Sequence, residues 1–211
     1  MQNFKDKYFS LSVLVGAAML VASLVVNFYA LNYVNESISN PVTDVVLDNT
    51  RVHDVDGIFV YGTIAFFFVL VAAGLAFARS IPFLLKSIAL FYLIRSFFIS
   101  LTHISPYPTH MFINAYVAHL PYLQRIFNGD DLFFSGHTGM PFLIALIFWE
   151  NTFFRTAFIA FSAIFAAVVL LGHIHYSIDV ASAYFITFTI FVIAKTIFAR
   201  DWAIFNNPIA K

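Results

Sequence analysis

The chain has 211 residues, of which 61% are hydrophobic and 10% charged, with a formal net charge of zero. A soluble domain carries about a quarter charged residues, and the 28 phenylalanines would be costly on a wetted surface but are cheap in hydrocarbon. The absence of cysteine excludes disulfides, thiol nucleophiles, Cys-ligated zinc and iron–sulfur clusters, and the zero net charge offers no global field to attract nucleic acid.

In chain order, Lys5 and Lys7 precede an apolar run over 8–31. That run exceeds the roughly 7–15 residues of a signal-peptide core, so it reads as a retained first helix. A bilayer crossing needs about 20 apolar residues. Further candidate spans lie at 58–78, 81–101, 132–149, 155–171 and 178–198, the fourth and fifth being short. Pro82 suits the first turn of the third, where its missing N–H costs nothing. The expectation is an all-α integral membrane protein, a single six-helix bundle over 1–211.

Six spans place both termini on one side, and Lys and Arg decide which. Lys5, Lys7, Arg79, Lys86, Arg155, Lys195, Arg200 and Lys211 fall on the side of the termini, against Arg51 and Arg125 on the other. Both termini are therefore expected in the cytoplasm. The long loops at 32–57 and 102–131 are then extracytoplasmic, where long loops usually carry function. The stretch 111–127, with Tyr116, His119 and Tyr122, fits an interfacial segment or a loop packed on the bundle.

An ionisable side chain within a span is expensive and points to function. Arg95 sits six residues before the outer end of the third span, roughly 9 Å deep at 1.5 Å per residue. His137 opens the fourth span and Asp179 the sixth, so all three lie near one surface. His175 and Asp179 are one helical turn apart on one face. A carboxylate there can hold Nδ1–H and leave Nε2 as a nucleophile; the pair equally fits a capped helix start. Ser135-Gly136-His137-Thr138 at a helix start offers backbone N–H groups and hydroxyls to an anion, or a simple N-cap. His173 and His175 form a possible metal pair, but no carboxylate set or third His stands at helical spacing, and neither metal nor cofactor is expected.

These residues resemble a family. Gly129-Asp130-Asp131, then Ser135-Gly136-His137-Thr138, resembles the third signature of the sphingomyelin synthases. His175-Tyr176-Ser177-Ile178-Asp179-Val180, with Tyr184 and Phe191 following, resembles the fourth, and Tyr92 to Arg95 with Thr102 part of the second. The wider superfamily is that of the type 2 phosphatidic acid phosphatases (PAP2), which share a six-helix membrane core. The Arg-Arg pair expected ahead of Tyr92 is absent, and Val168 and Val169 stand where the lipid phosphate phosphatases carry Ser-Arg.

The resemblance implies His175 as nucleophile, Asp179 as its orienter and His137 as the acid that releases diacylglycerol. It implies a phosphohistidine that passes its headgroup phosphate to ceramide, another alcohol or water. Arg95, Ser135, Gly136, Thr138, Asp131, Tyr92 and Tyr176 are the expected substrate contacts. A phosphomonoester carries about −1.5 to −2 charge near pH 7 and a diester one. A site with one clear arginine therefore suits a phospholipid diester better than phosphatidic acid. The alternatives are a lipid phosphate phosphatase, or a transporter or scramblase using the same polar cluster.

Overall fold

The computed structural model describes residues 7–36, 39–111 and 133–206. Among them are seven α-helices and no strand: α1 Lys7–Asn35, α2 Asp56–Ala76, α3 Ile81–Ser100, α4 Gly136–Ile147, α5 Thr152–Leu171, α6 Ser177–Ile197 and α7 Ala199–Asn206. Five of these helices (α1, α2, α3, α5 and α6) are long and apolar enough to cross a membrane. Their outer faces carry Leu14, Phe68, Leu75 and Phe185, all well exposed. So much apolar surface is untenable in water, and the chain is an integral membrane protein.

The fourth predicted span differs from the expectation. α4 has 12 residues, about 18 Å at 1.5 Å per residue, too short to cross by itself. Its predicted ends, Phe133, Phe134, Phe148 and Trp149, are apolar but not helical. Hydropathy alone counts them as span, whereas their backbone serves the turns that flank the helix. Being apolar on every side, α4 is walled by α3, α5 and α6 and buries all but three of its residues, namely Gly136, His137 and Phe142. Gly139 permits this closeness: a Cβ there would lie 2.7 Å from the Thr187 hydroxyl and 3.0 Å from the Phe91 ring.

The helix directions follow from a few contacts. A Cβ on Gly16 would meet Leu85 at 3.0 Å, and eleven residues further along both helices Ser96 meets Asn27, so α1 and α3 run parallel. The Ser135 N–H donates to the Asp179 carbonyl at 3.1 Å, which sets the N-termini of α4 and α6 side by side. α5 returns antiparallel to α4, with Ser162 donating to the Thr138 carbonyl at 2.8 Å. One end of the bundle therefore collects the C-terminal parts of α1, α3 and α5 and the starts of α2, α4 and α6.

Arg79, Arg155, Lys195 and Arg200 lie toward the opposite end, where Lys86 donates to Asp201 at 2.6 Å and to Ser12 at 2.7 Å. Ser12 and Tyr8 in turn donate to Asp201. This buried cluster pins α7 beneath α1 and α3, and Trp202 packs on Phe83 and Phe191. Lys5, Lys211, Arg125 and the 112–127 part of the interfacial stretch lie outside the described residues.

Candidate active site

The end that collects the helix termini is tied down by its loops. His53 N–H donates to the Leu171 carbonyl at 2.8 Å, Met111 N–H to the Gly172 carbonyl at 2.9 Å, and Ser39 N–H to the His103 carbonyl at 2.7 Å. Asp44 accepts from the N–H groups of Val46 and Leu47 through Oδ1 and from Ser177 through Oδ2 at 2.7 Å. Burial pushes the Asp44 carboxyl up, but the N–H groups of Ser177, Leu47 and Val46 outweigh it and hold it below its ordinary value. Asp44 thus caps α6, the helix that carries Asp179.

His175 is delivered by an unusual turn. α5 ends in a Schellman motif: Ile174 N–H reaches the Val169 carbonyl at 2.8 Å and His173 N–H the Leu170 carbonyl at 3.0 Å. The left-handed position, usually Gly, is His173 at φ 51. Its ring is held by the hydroxyls of Thr109 at 2.7 Å and Thr50 at 3.3 Å and by the edge of Tyr107. Burial lowers the His173 pKa. Both ring nitrogens serve the turn, and among the described residues no metal-binding cluster of three His, Asp or Glu occurs.

The turn sets His175 Nδ1 3.5 Å from Asp179 Oδ2. That is longer than a well-formed hydrogen bond. The same Asp179 oxygen accepts from the Tyr176 N–H at 2.9 Å, fixing the carboxylate. Asp179 Oδ1 is buried with no hydrogen-bond partner among the described residues, a cost that stability alone does not explain.

Arg95, buried in α3, donates from Nε to the Phe134 carbonyl at 2.9 Å. That carbonyl immediately precedes the start of α4, so Arg95 is locked to the helix bearing His137. Gly136 lies against the guanidinium: a Cβ there would sit 3.1 Å from Nε and 3.4 Å from Cζ. His137 is half-buried, its ring 4.4 Å from that of Phe59 and 5.9 Å from that of Phe165. Pro141, one turn on, has no N–H to give the His137 carbonyl.

Arg95, Gly136, His137, His175 and Tyr92 line one cavity of about 180 Å³. Its remaining wall is largely apolar, with Phe59, Phe66, Phe67, Met140 and Phe165. Asp179 stands behind His175. Three expected substrate contacts are placed elsewhere. The Ser135 hydroxyl accepts from Thr138 N–H and caps α4, and Ser135 is fully buried. Thr138 is also fully buried, its hydroxyl off the cavity and without a partner among the described residues. Tyr176 is 1% exposed and donates to the Ser105 carbonyl, holding the outer loop. Asp131 lies outside the described residues. Two further residues of the site carry little signal in the sequence: Phe134, whose carbonyl anchors Arg95 through backbone that composition cannot show, and Asn27, a polar residue inside the first apolar run.

Residues 129–196 match the family described as PAP2 superfamily C-terminal. The match covers roughly a third of the chain and takes in His137, His175 and Asp179. Members of that superfamily are typically phosphatases or phosphotransferases. No curated protein and no solved structure matches the chain.

Proposed function

We propose that the protein is a phospholipid headgroup phosphotransferase or phospholipase C-like hydrolase of sphingomyelin synthase type. One observation carries this reading: two histidines and an arginine open on a single cavity whose other wall is apolar. The polar end suits a phosphate and the apolar wall the lipid attached to it.

In the proposed reaction His175 Nε2 attacks phosphorus, and a P–N bond forms as the P–O bond to diacylglycerol breaks. His137, which takes up a proton as the anionic phosphate binds beside it, gives that proton to the departing oxygen. Asp179 holds Nδ1–H and stabilises the positive charge that grows on the ring. Arg95 and the N–H groups at the start of α4 face the charge developing on the phosphoryl oxygens. In the second step His137 takes the proton from ceramide, another alcohol or water as its oxygen displaces His175. The headgroup phosphate leaves on the acceptor and the enzyme is restored.

Arg95 is the one arginine or lysine lining the cavity among the described residues, which favours a singly charged diester over phosphatidic acid. The positive-inside bias supports a site on the extracytoplasmic face. The test is diacylglycerol release from phosphatidylcholine or phosphatidylethanolamine in mixed micelles, with phosphate release from phosphatidic acid as the comparison. Wild type should cleave the diesters and His175→Ala should not. Efficient phosphatidic acid turnover with inert diesters would overturn the diester assignment.

A further inference from the structure

Asn27 is a polar side chain set well within an apolar helix, eight residues before the end of α1, and such a residue is costly in hydrocarbon unless it is used. It is half-buried and lines the cavity shared by Arg95, His137 and His175. Its carbonyl lies 3.3 Å from the Ser96 hydroxyl, which also donates to the Tyr92 carbonyl at 2.7 Å, and Ser96 adjoins Arg95 in α3, so the carboxamide lies at nearly the same depth as the guanidinium. Whichever amide atom faces Ser96, the NH₂ group keeps at least one hydrogen to donate. No hydrogen bond from it is made among the described residues, and it is not sealed from the cavity.

The position is informative. α1 packs on α3 and α2 on α5, with little direct contact between α1 and α2, yet Asn27 and Leu31 of α1 and Thr63 and Phe67 of α2 wall the same cavity. Asn27 thus stands between the phosphate end and the seam toward the bilayer. The Thr63 hydroxyl is spent on the Phe59 carbonyl at 2.7 Å, so Asn27 is the donor that borders this seam. A phospholipid held by its phosphate at Arg95 presents its acyl carbonyls a few bonds further along, and a carbonyl accepts what a carboxamide NH₂ donates.

We propose that Asn27 is a specificity residue that donates a hydrogen bond to an acyl carbonyl of the bound phospholipid and so selects ester-linked over ether-linked lipid. This rests on the phospholipid reading above. The experiment measures binding, so it does not depend on turnover. Purified protein is titrated with diacyl phosphatidylcholine and with its dialkyl ether analogue of equal chain length. The phosphatidylethanolamine pair is treated likewise.

Wild type should bind the ester lipid about fivefold to tenfold more tightly, the effect of one neutral hydrogen bond. Asn27→Leu should bind both as wild type binds the ether, whose unchanged affinity reports an intact fold. Equal binding of ester and ether by wild type, or a preference retained in Asn27→Leu, overturns the assignment. Absence of any saturable phospholipid binding overturns it together with the lipid reading. An intact preference without turnover instead counts against the reaction alone and supports Asn27.

Discussion

At the residue scale, the site divides into side chains that face the cavity and side chains that hold those in place. Asp179 belongs to the second group, behind His175. Asp179→Asn removes the negative charge opposite Nδ1 while leaving an oxygen for the Tyr176 N–H. If His175 is the nucleophile, kcat should fall about 10²–10⁴-fold with little change in thermal stability. An unaltered kcat would contradict the orienting role. Gly136→Ala presses a methyl group to 3.1 Å from Arg95 Nε. Because Nε is fixed on the Phe134 carbonyl, the guanidinium must give by a few tenths of an ångström, and kcat/KM should drop about tenfold. A variant as active as wild type would show that Arg95 has room to spare.

The same scale shows what a sequence discloses and what it hides. His137, Asp179 and Arg95 stand out in the sequence as titratable groups inside apolar runs, and His175 by its one-turn spacing from Asp179. Ser135 and Tyr176, expected as substrate contacts, are harder to read. Their hydroxyls fit a phosphate as well as they fit a helix cap or the Ser105 carbonyl, and only the fold decides between such partners. Asn27 escaped notice because its meaning depends on Ser96, 69 residues away.

At the element scale, α6 is fastened from outside by Asp44. Its folded pKa lies below the ordinary 3.8. The stabilisation is therefore fully present above about pH 4 and is lost as pH falls through the folded value. Asp44→Asn should melt lower than wild type at neutral pH and lose less on acidification. Parallel losses in the two proteins would place the acid-sensitive group elsewhere. At the other end, α7 is held by the buried Lys86–Asp201 pair. Asp201→Ala leaves Lys86 buried without its carboxylate and should cost about 3–5 kcal/mol, whereas the double variant Lys86→Met, Asp201→Leu should be near neutral. Thermal unfolding in detergent distinguishes the two; equal stability of Asp201→Ala and wild type would show that the cluster carries no weight. The short α4 was the element least legible beforehand, because a hydropathy window cannot tell a helical Phe from the Phe134 whose carbonyl serves Arg95.

At the scale of the whole molecule, a short apolar helix is walled by three of the five long ones, and the helix termini that meet at one end carry His137, His175 and Asp179. Among the described residues, the cations of the loops and helix ends other than Arg51 gather at the other. This polarity was readable from Lys and Arg alone, since it follows from charge placement and not from packing. The cavity was not, because its wall draws on α1, α2, α3, α4 and α5 at once. Phosphoryl transfer through His175 is the step on which the proposed function turns. It is tested most directly by quenching the purified protein, without acid, during incubation with phosphatidylcholine and locating any added mass by peptide mass spectrometry. The account predicts a phosphocholine adduct on His175, accompanied by diacylglycerol and absent from His175→Ala. Diacylglycerol release that persists in His175→Ala would contradict it.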